Sequence, residues 1–148
     1  MAPTVHTVEI ARPPEEVFRF ATDPSRFPEW QEDVVRVDVH GADPPGVGSR
    51  FTTTRRIGRV EHHTTQEITR LESPTGWAAR GVDGPLRPSA SISVEPLDGG
   101  TRSRVRFELD FEGRGIGKLL APEMLHRMAA KRAPDSYHNL KQLLERGE

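Results

Sequence analysis

Residues 10–30 read IARPPEEVFRFATDPSRFPEW, and this stretch decides the architecture. Its first residues close an alternating run. From Thr4 to Arg12, His6, Val8 and Ile10 share one face while Val5, Thr7 and Glu9 share the other, the period of a half-buried strand. Pro13-Pro14 then makes a stiff turn, and Glu15-Glu16 stand where the N-terminal end of a helix favours carboxylates. Val17, Phe18, Phe20 and Ala21 give that helix one apolar side. Thr22-Asp23-Pro24 stops it and opens a second helix, which runs through Phe27 and Pro28 to Trp30. A strand followed at once by two short helices is the predicted opening of the fold.

Downstream the rhythm is strand and turn. Val35, Val37 and Val39 alternate with Arg36 and Asp38, and a loop from Gly41 to Gly48 contains Pro44-Pro45-Gly46. Further strands are predicted at Phe51 to Ile57, Val60 to Leu71, Trp77 to Val82, Ser89 to Glu95 and Arg104 to Glu112. Gly58-Arg59, Ser73-Pro74-Thr75-Gly76, Asp83-Gly84-Pro85 and Asp98-Gly99-Gly100 separate them. Connections this short allow hairpins and not crossovers, so the sheet is antiparallel. From Gly117 to Arg146 the period becomes helical, with Leu120, Met124, Met128, Tyr137, Leu140 and Leu144 near one stripe. Pro134 interrupts that pattern, and the amide it removes predicts a kink or break between Lys131 and Asp135.

Composition narrows the function. The 148 residues carry 21 basic and 22 acidic side chains, a net charge of -1 without the basic footprint of a nucleic-acid binder. With no cysteine there is no disulfide scaffold, thiolate metal site or thiol nucleophile. The apolar share, counted with Gly and without Tyr, is about 42%, slightly under the usual ~45–50%. A partly polar interior or a cavity is the expected consequence. No apolar run approaches the ~20 residues of a membrane span, and no basic-then-apolar leader opens the chain. Arg outnumbers Lys by 18 to 3, read as a GC-rich coding bias; a bacterial, cytoplasmic protein is expected.

The order strand, two short helices, six-strand meander and long terminal helix resembles the Bet v 1-like, START-related (SRPBCC) superfamily, in its polyketide cyclase/dehydrase-like branch. The resemblance rests on Ile10-Ala11-Arg12-Pro13-Pro14-Glu15-Glu16-Val17-Phe18, Asp23-Pro24, Pro28-Glu29-Trp30, Gly99-Gly100-Thr101, Leu119-Leu120-Ala121-Pro122, Leu140-Lys141 and Leu144-Glu145. It covers the chain as a single domain, residues 1–148. It implies an α+β helix-grip fold: a seven-stranded antiparallel sheet wrapped around the C-terminal helix, enclosing a cavity for lipids, polyketides, sterols or similar small molecules. These motifs are structural, so they leave the reaction open. Three functions compete: a carrier or sensor of a small hydrophobic or aromatic ligand, a cyclase or dehydratase, and a START-related protein-interaction module. No cofactor is implied, no integral membrane association is expected, and monomer and homodimer are both open.

Strand parity assigns the inner face. If Phe51 and Ile57 point inward, so do Thr53 and Arg55; if Ile68 does, so do Gln66, Thr64, His62 and Val60. Trp77 and Ala79, then Ala90, Ile92 and Val94, then Val105, Phe107, Leu109 and Phe111 continue it. Candidate ligand contacts are Trp30, Phe51, Thr53, Arg55, His62, Thr64, Gln66, Trp77, Ile92, Met124 and Met128. Met124 and Met128 are helix-core residues by default, and Trp30 and Trp77 are read as core before ligand platforms. Arg55 is a ligand anchor, or it pairs with an internal acid or reaches the rim, since a guanidinium in a cavity must be paired or hydrated. His62 is the candidate proton-transfer residue, against a hydrogen-bonded or solvated histidine. His62 and His63 cannot share a metal because successive strand residues point to opposite faces. Arg102, Arg104 and Arg106 read as a solvated outer face, and Gly113-Arg114-Gly115-Ile116-Gly117 as a turn into the last helix. No GxGxxG, Walker, HExxH or GxSxG sequence occurs.

Overall fold

The computed structural model describes residues 4–41, 45–57, 59–83, 86–113 and 122–147, with side chains for 4–41, 45–56, 59–83, 87–110 and 134–147. Strand β1 spans Thr4–Ile10, helix α1 Pro14–Ala21, and a 3₁₀ turn at Pro24–Arg26 leads into the single-turn α2 at Phe27–Trp30. Strands β2 (Val34–His40), β3 (Arg50–Ile57), β4 (Val60–Glu72), β5 (Gly76–Asp83), β6 (Leu86–Leu97) and β7 (Arg102–Gly113) follow, then α3 (Pro122–Glu145). The sheet is antiparallel throughout, in the order β1-β7-β6-β5-β4-β3-β2. The meander therefore returns to the first strand, and His6 lies opposite Phe107.

Local chemistry places the two short helices. Pro14 occupies the first turn of α1 with Glu15 and Glu16, and Thr22 ends the helix by donating both its amide and its hydroxyl to the Phe18 carbonyl, at 3.0 and 2.7 Å. Asp23 caps the next turn, accepting from the Ser25 amide at 3.0 Å and the Ser25 hydroxyl at 2.6 Å. The core unites both helices with the sheet: Val17, Phe18, Phe27 and Trp30 pack with Phe51, Ile68, Trp77, Ile92, Val105 and Phe107. Tyr137, Leu140 and Leu144 close it from α3, which packs against β1, β7 and α2.

Four features differ from the sequence reading or fall beyond the description. Helix α3 runs unbroken through Pro134, so the expected break is absent; the lost bond is one among those of a 24-residue helix already held by its buried stripe. Val60 is 57% exposed because it stands at the hairpin end of β4, beyond the core. In β2 a bulge between Val34 and Arg36 makes Val34 the buried valine and leaves Val35 and Val39 exposed. The side chains of Ile57, Phe111, Met124 and Met128 lie outside the described residues, as do residues 114–121 with most of the glycine-rich segment and the expected helix start.

Candidate functional site

The inner face of β3 and β4 carries a polar strip beside an apolar core of aromatic and aliphatic side chains. Cross-strand register pairs Phe51 with Gln66, Thr53 with Thr64 and Arg55 with His62. Phe51, Thr53, Thr64 and Gln66 are all buried, at 0, 1, 8 and 5% exposure. The Thr53 hydroxyl donates to the Thr64 carbonyl at 3.4 Å. Ile92 is buried on the opposite flank.

Arg55 sits at the end of this strip, half-buried, and its guanidinium is held from two sides. Nη1 donates to Asp33 Oδ1 at 2.7 Å and Nη2 to Gln31 Oε1 at 2.6 Å. Of the readings of Arg55, pairing with an acid, Asp33, is observed, and with the bond to Gln31 it uses two of five N–H donors. Gln31 and Asp33 belong to the turn after α2, which backbone bonds tie down: Gln31 N to the Phe27 carbonyl at 2.8 Å, Val34 N to the Gln31 carbonyl at 3.1 Å, and Arg56 N to the Asp33 carbonyl at 2.8 Å. His62, opposite Arg55, is half-buried.

Beyond the strip the interior is a chain of rings. Phe27 meets Trp30, Phe51 and Trp77 edge-on, with centroids 5.8, 5.8 and 6.1 Å away. Trp30 continues to Phe107 at 6.1 Å, and Phe107 stacks on Tyr137 at 3.8 Å. His6 lies 5.4 Å from the Tyr137 ring. Burial pushes the Tyr137 phenol up to about 12, while the charge of Arg55 pulls it the other way. The phenol is therefore a neutral O–H at physiological pH. Trp30 and Trp77 lie within the core, at 3 and 2% exposure.

The structure thus brings Arg55, His62, Thr53, Thr64, Gln66 and Phe51 onto one face and adds five residues that the site reading did not single out: Gln31, Asp33, Phe27, Tyr137 and His6. Gln31 and Asp33 lie in a turn, where no periodicity marks orientation. His6 and Tyr137 each sat in a recognised pattern, a strand face and a helix stripe. What joins them is a meeting of chain ends 131 residues apart, which no local pattern encodes.

Arg102, Arg104 and Arg106 lie outside the grip, as read. Arg104 bridges Glu95 at 2.7 Å and Glu9 at 3.3 Å, and Arg106 bridges Glu108 at 3.5 Å. Among the described residues no helix is long and apolar enough to cross a membrane.

An antiparallel sheet gripping a terminal helix, with two short helices after the first strand, defines the helix-grip class of Bet v 1-like and START domains. Within it the chain belongs to the family described as polyketide cyclase / dehydrase and lipid transport, whose model matches residues 1–145. Solved structures agree on the fold. A START superfamily protein from Mycobacterium smegmatis is 15% identical, with a TM-score of 0.83 and full coverage of both chains. A protein from Thermus thermophilus is 18% identical, with a TM-score of 0.77 over 95% of this chain and 94% of that one. The di-domain ARO/CYC BexL from the BE-7585A biosynthetic pathway is 17% identical, with a TM-score of 0.73; 98% of this chain matches 47% of BexL. No curated protein matches the sequence.

Proposed function

We infer that the chain binds a small hydrophobic or aromatic molecule, polyketide- or lipid-like, inside the grip, and serves as its carrier or sensor. The observation that carries this reading is the buried polar strip Thr53, Thr64 and Gln66, ending in Arg55 with Asp33 and Gln31, set beside the aromatic and aliphatic side chains of the core. A core built for stability alone gains nothing from such groups, because each must be desolvated. A molecule with an apolar body and a few oxygens makes use of them. Trp30, Phe51, Trp77, Ile92, Met124 and Met128 supply the apolar contacts in this reading. The family description, which joins cyclisation with lipid transport, supports the ligand class. Native mass spectrometry of the purified protein, followed by extraction, tests it. A retained small molecule with an apolar body is expected; mass equal to the bare chain, together with no uptake of added aromatic ligands, would remove the reading.

A second reading, a cyclase or dehydratase, is favoured by one observation: Arg55 and His62 are direct cross-strand partners. An enolising carbonyl develops negative charge on oxygen, which a fixed guanidinium stabilises, and an imidazole beside it exchanges the proton. Arg55→Met and His62→Gln separate the two. Turnover of an aromatic polyketide-like substrate that His62→Gln abolishes at unchanged affinity identifies an enzyme. Affinity lost in Arg55→Met, with no turnover by any variant, identifies a carrier. Binding unaltered by both variants would place the ligand away from this face.

A further inference from the structure

Two side-chain polar atoms buried in the described core lack any hydrogen-bond partner, and they are of the same kind: the indole nitrogens of Trp30 and Trp77. Both side chains are more than nine-tenths buried. An indole N–H can only donate, and folded proteins keep unpaired buried donors rare because such a group has lost its water and gained nothing. Phenylalanine would supply much of the same apolar surface at either position without that penalty. The two indoles also belong to one arrangement. Each contacts Phe27, Trp30 at 5.8 Å and Trp77 at 6.1 Å, and each ring plane stands nearly perpendicular to it, at 85° and 87°.

We propose that the indole N–H groups of Trp30 and Trp77 are donors to the ligand, selecting a flat ring system with at least two carbonyl-type acceptor oxygens over a plain hydrocarbon. The inference rests on the ligand-binding reading above and narrows it. An alkyl chain of equal apolar area leaves both donors unpaired and forfeits that gain. Carbonyl oxygens on separate edges of one planar ligand satisfy both, while the ring body packs against the aromatic walls.

The matched probes 9,10-anthraquinone and anthracene test this, since they share a three-ring frame and differ in two carbonyl oxygens. The chain has only these two tryptophans, so two indole N–H signals in a nitrogen-15 correlation spectrum report on the native protein. Anthraquinone is expected to move both signals downfield and anthracene is not. The wild type should prefer the quinone by about tenfold, the combined effect of two modest hydrogen bonds. Trp30→Phe and Trp77→Phe, each retaining one fluorescent reporter, should each reduce that preference to about threefold. Indole signals unmoved at saturating quinone, or equal affinity for the two probes, overturn the donor assignment and leave the ligand-binding reading in place. Binding of neither probe overturns the donor assignment as well, and the native mass spectrum then decides the ligand-binding reading by itself. If a variant fails to fold, the wild-type spectra and affinity ratio decide alone.

Discussion

A guanidinium fastened to Asp33 and Gln31 is a fixed object, and the fastening has a measurable strength. Asp33→Ala leaves the Arg55 charge half-buried beside a neutral amide, so it is expected to destabilise the fold by about 1–2 kcal/mol. In an Arg55→Met background the same substitution should cost markedly less, and a double-mutant cycle from denaturant melts measures the difference. Tyr137 provides a second readout, because it is the chain's single tyrosine. Its phenol is raised from the ordinary 10.0 to about 12, first by burial and against the opposing charge of Arg55. A raised folded value means that stability is fully present below pH 10 and falls as pH climbs from 10 toward 12. Ultraviolet titration should show tyrosinate appearing near pH 12 in the folded protein and near 10 after denaturation. Arg55→Met should move the folded titration upward, since it removes the one opposing influence. Arg55 was legible from the sequence, because alternation from Phe51 assigns its face. Asp33 was not, because the turn residues between α2 and β2 follow no period and their side chains find partners only once β3 is in place.

Among the elements, β3 and β4 show why parity reasoning succeeds: their register from Arg50–Glu67 to Ile57–Val60 contains no slip, so one correct residue places all the others. Strand β2 shows the converse. Its bulge exchanges the buried face within two residues, and Val35, Val37 and Val39 look like an inward series while Val34 fills the core. Helix α3 is anchored at its last turn. Arg12 Nε donates to the Leu144 carbonyl at 2.8 Å, and Glu145 Oε2 accepts from Lys141 Nζ at 2.6 Å and from the Ala11 amide at 2.9 Å. These bonds, Lys141 first and the Ala11 amide second, hold the Glu145 carboxyl below its ordinary value of 4.5. A lowered folded value stabilises above 4.5 and ceases to do so as pH falls through the folded value. Thermal melts below pH 4.5 should therefore show a shallower acid loss for Glu145→Gln than for the wild type. Leu140, with no exposure, lies between Tyr137 and Leu144 in the buried stripe of the helix. Leu140→Ala is expected to cost about 2–5 kcal/mol in denaturant unfolding, the range for an emptied aliphatic core site.

At the level of the whole molecule, the sheet is complete only when the first strand adds to the last, Thr4 opposite Leu109 and Ile10 opposite Ser103. Element order and the change of period made the grip legible, because those signals are local. The meeting of His6, Tyr137 and Phe107 was not, because it exists only after that long-range pairing. Removal of residues 1–10 is expected to abolish cooperative unfolding, since it uncovers β7 and deletes the fully buried Ile10; a thermal melt followed by circular dichroism checks this. The same sheet order has a consequence for colloidal behaviour. A sheet that grips a helix without closing into a barrel keeps two edges, β1 and β2, and an unpaired edge invites the strand of a neighbouring molecule. Both edges are the shortest strands, at seven residues each. Lys141 Nζ occupies the Glu9 carbonyl on one at 2.7 Å, while the other bears a bulge and the charged pair Arg36 and Asp38. The fold thereby resists growing into fibrils at the margins that its own openness creates.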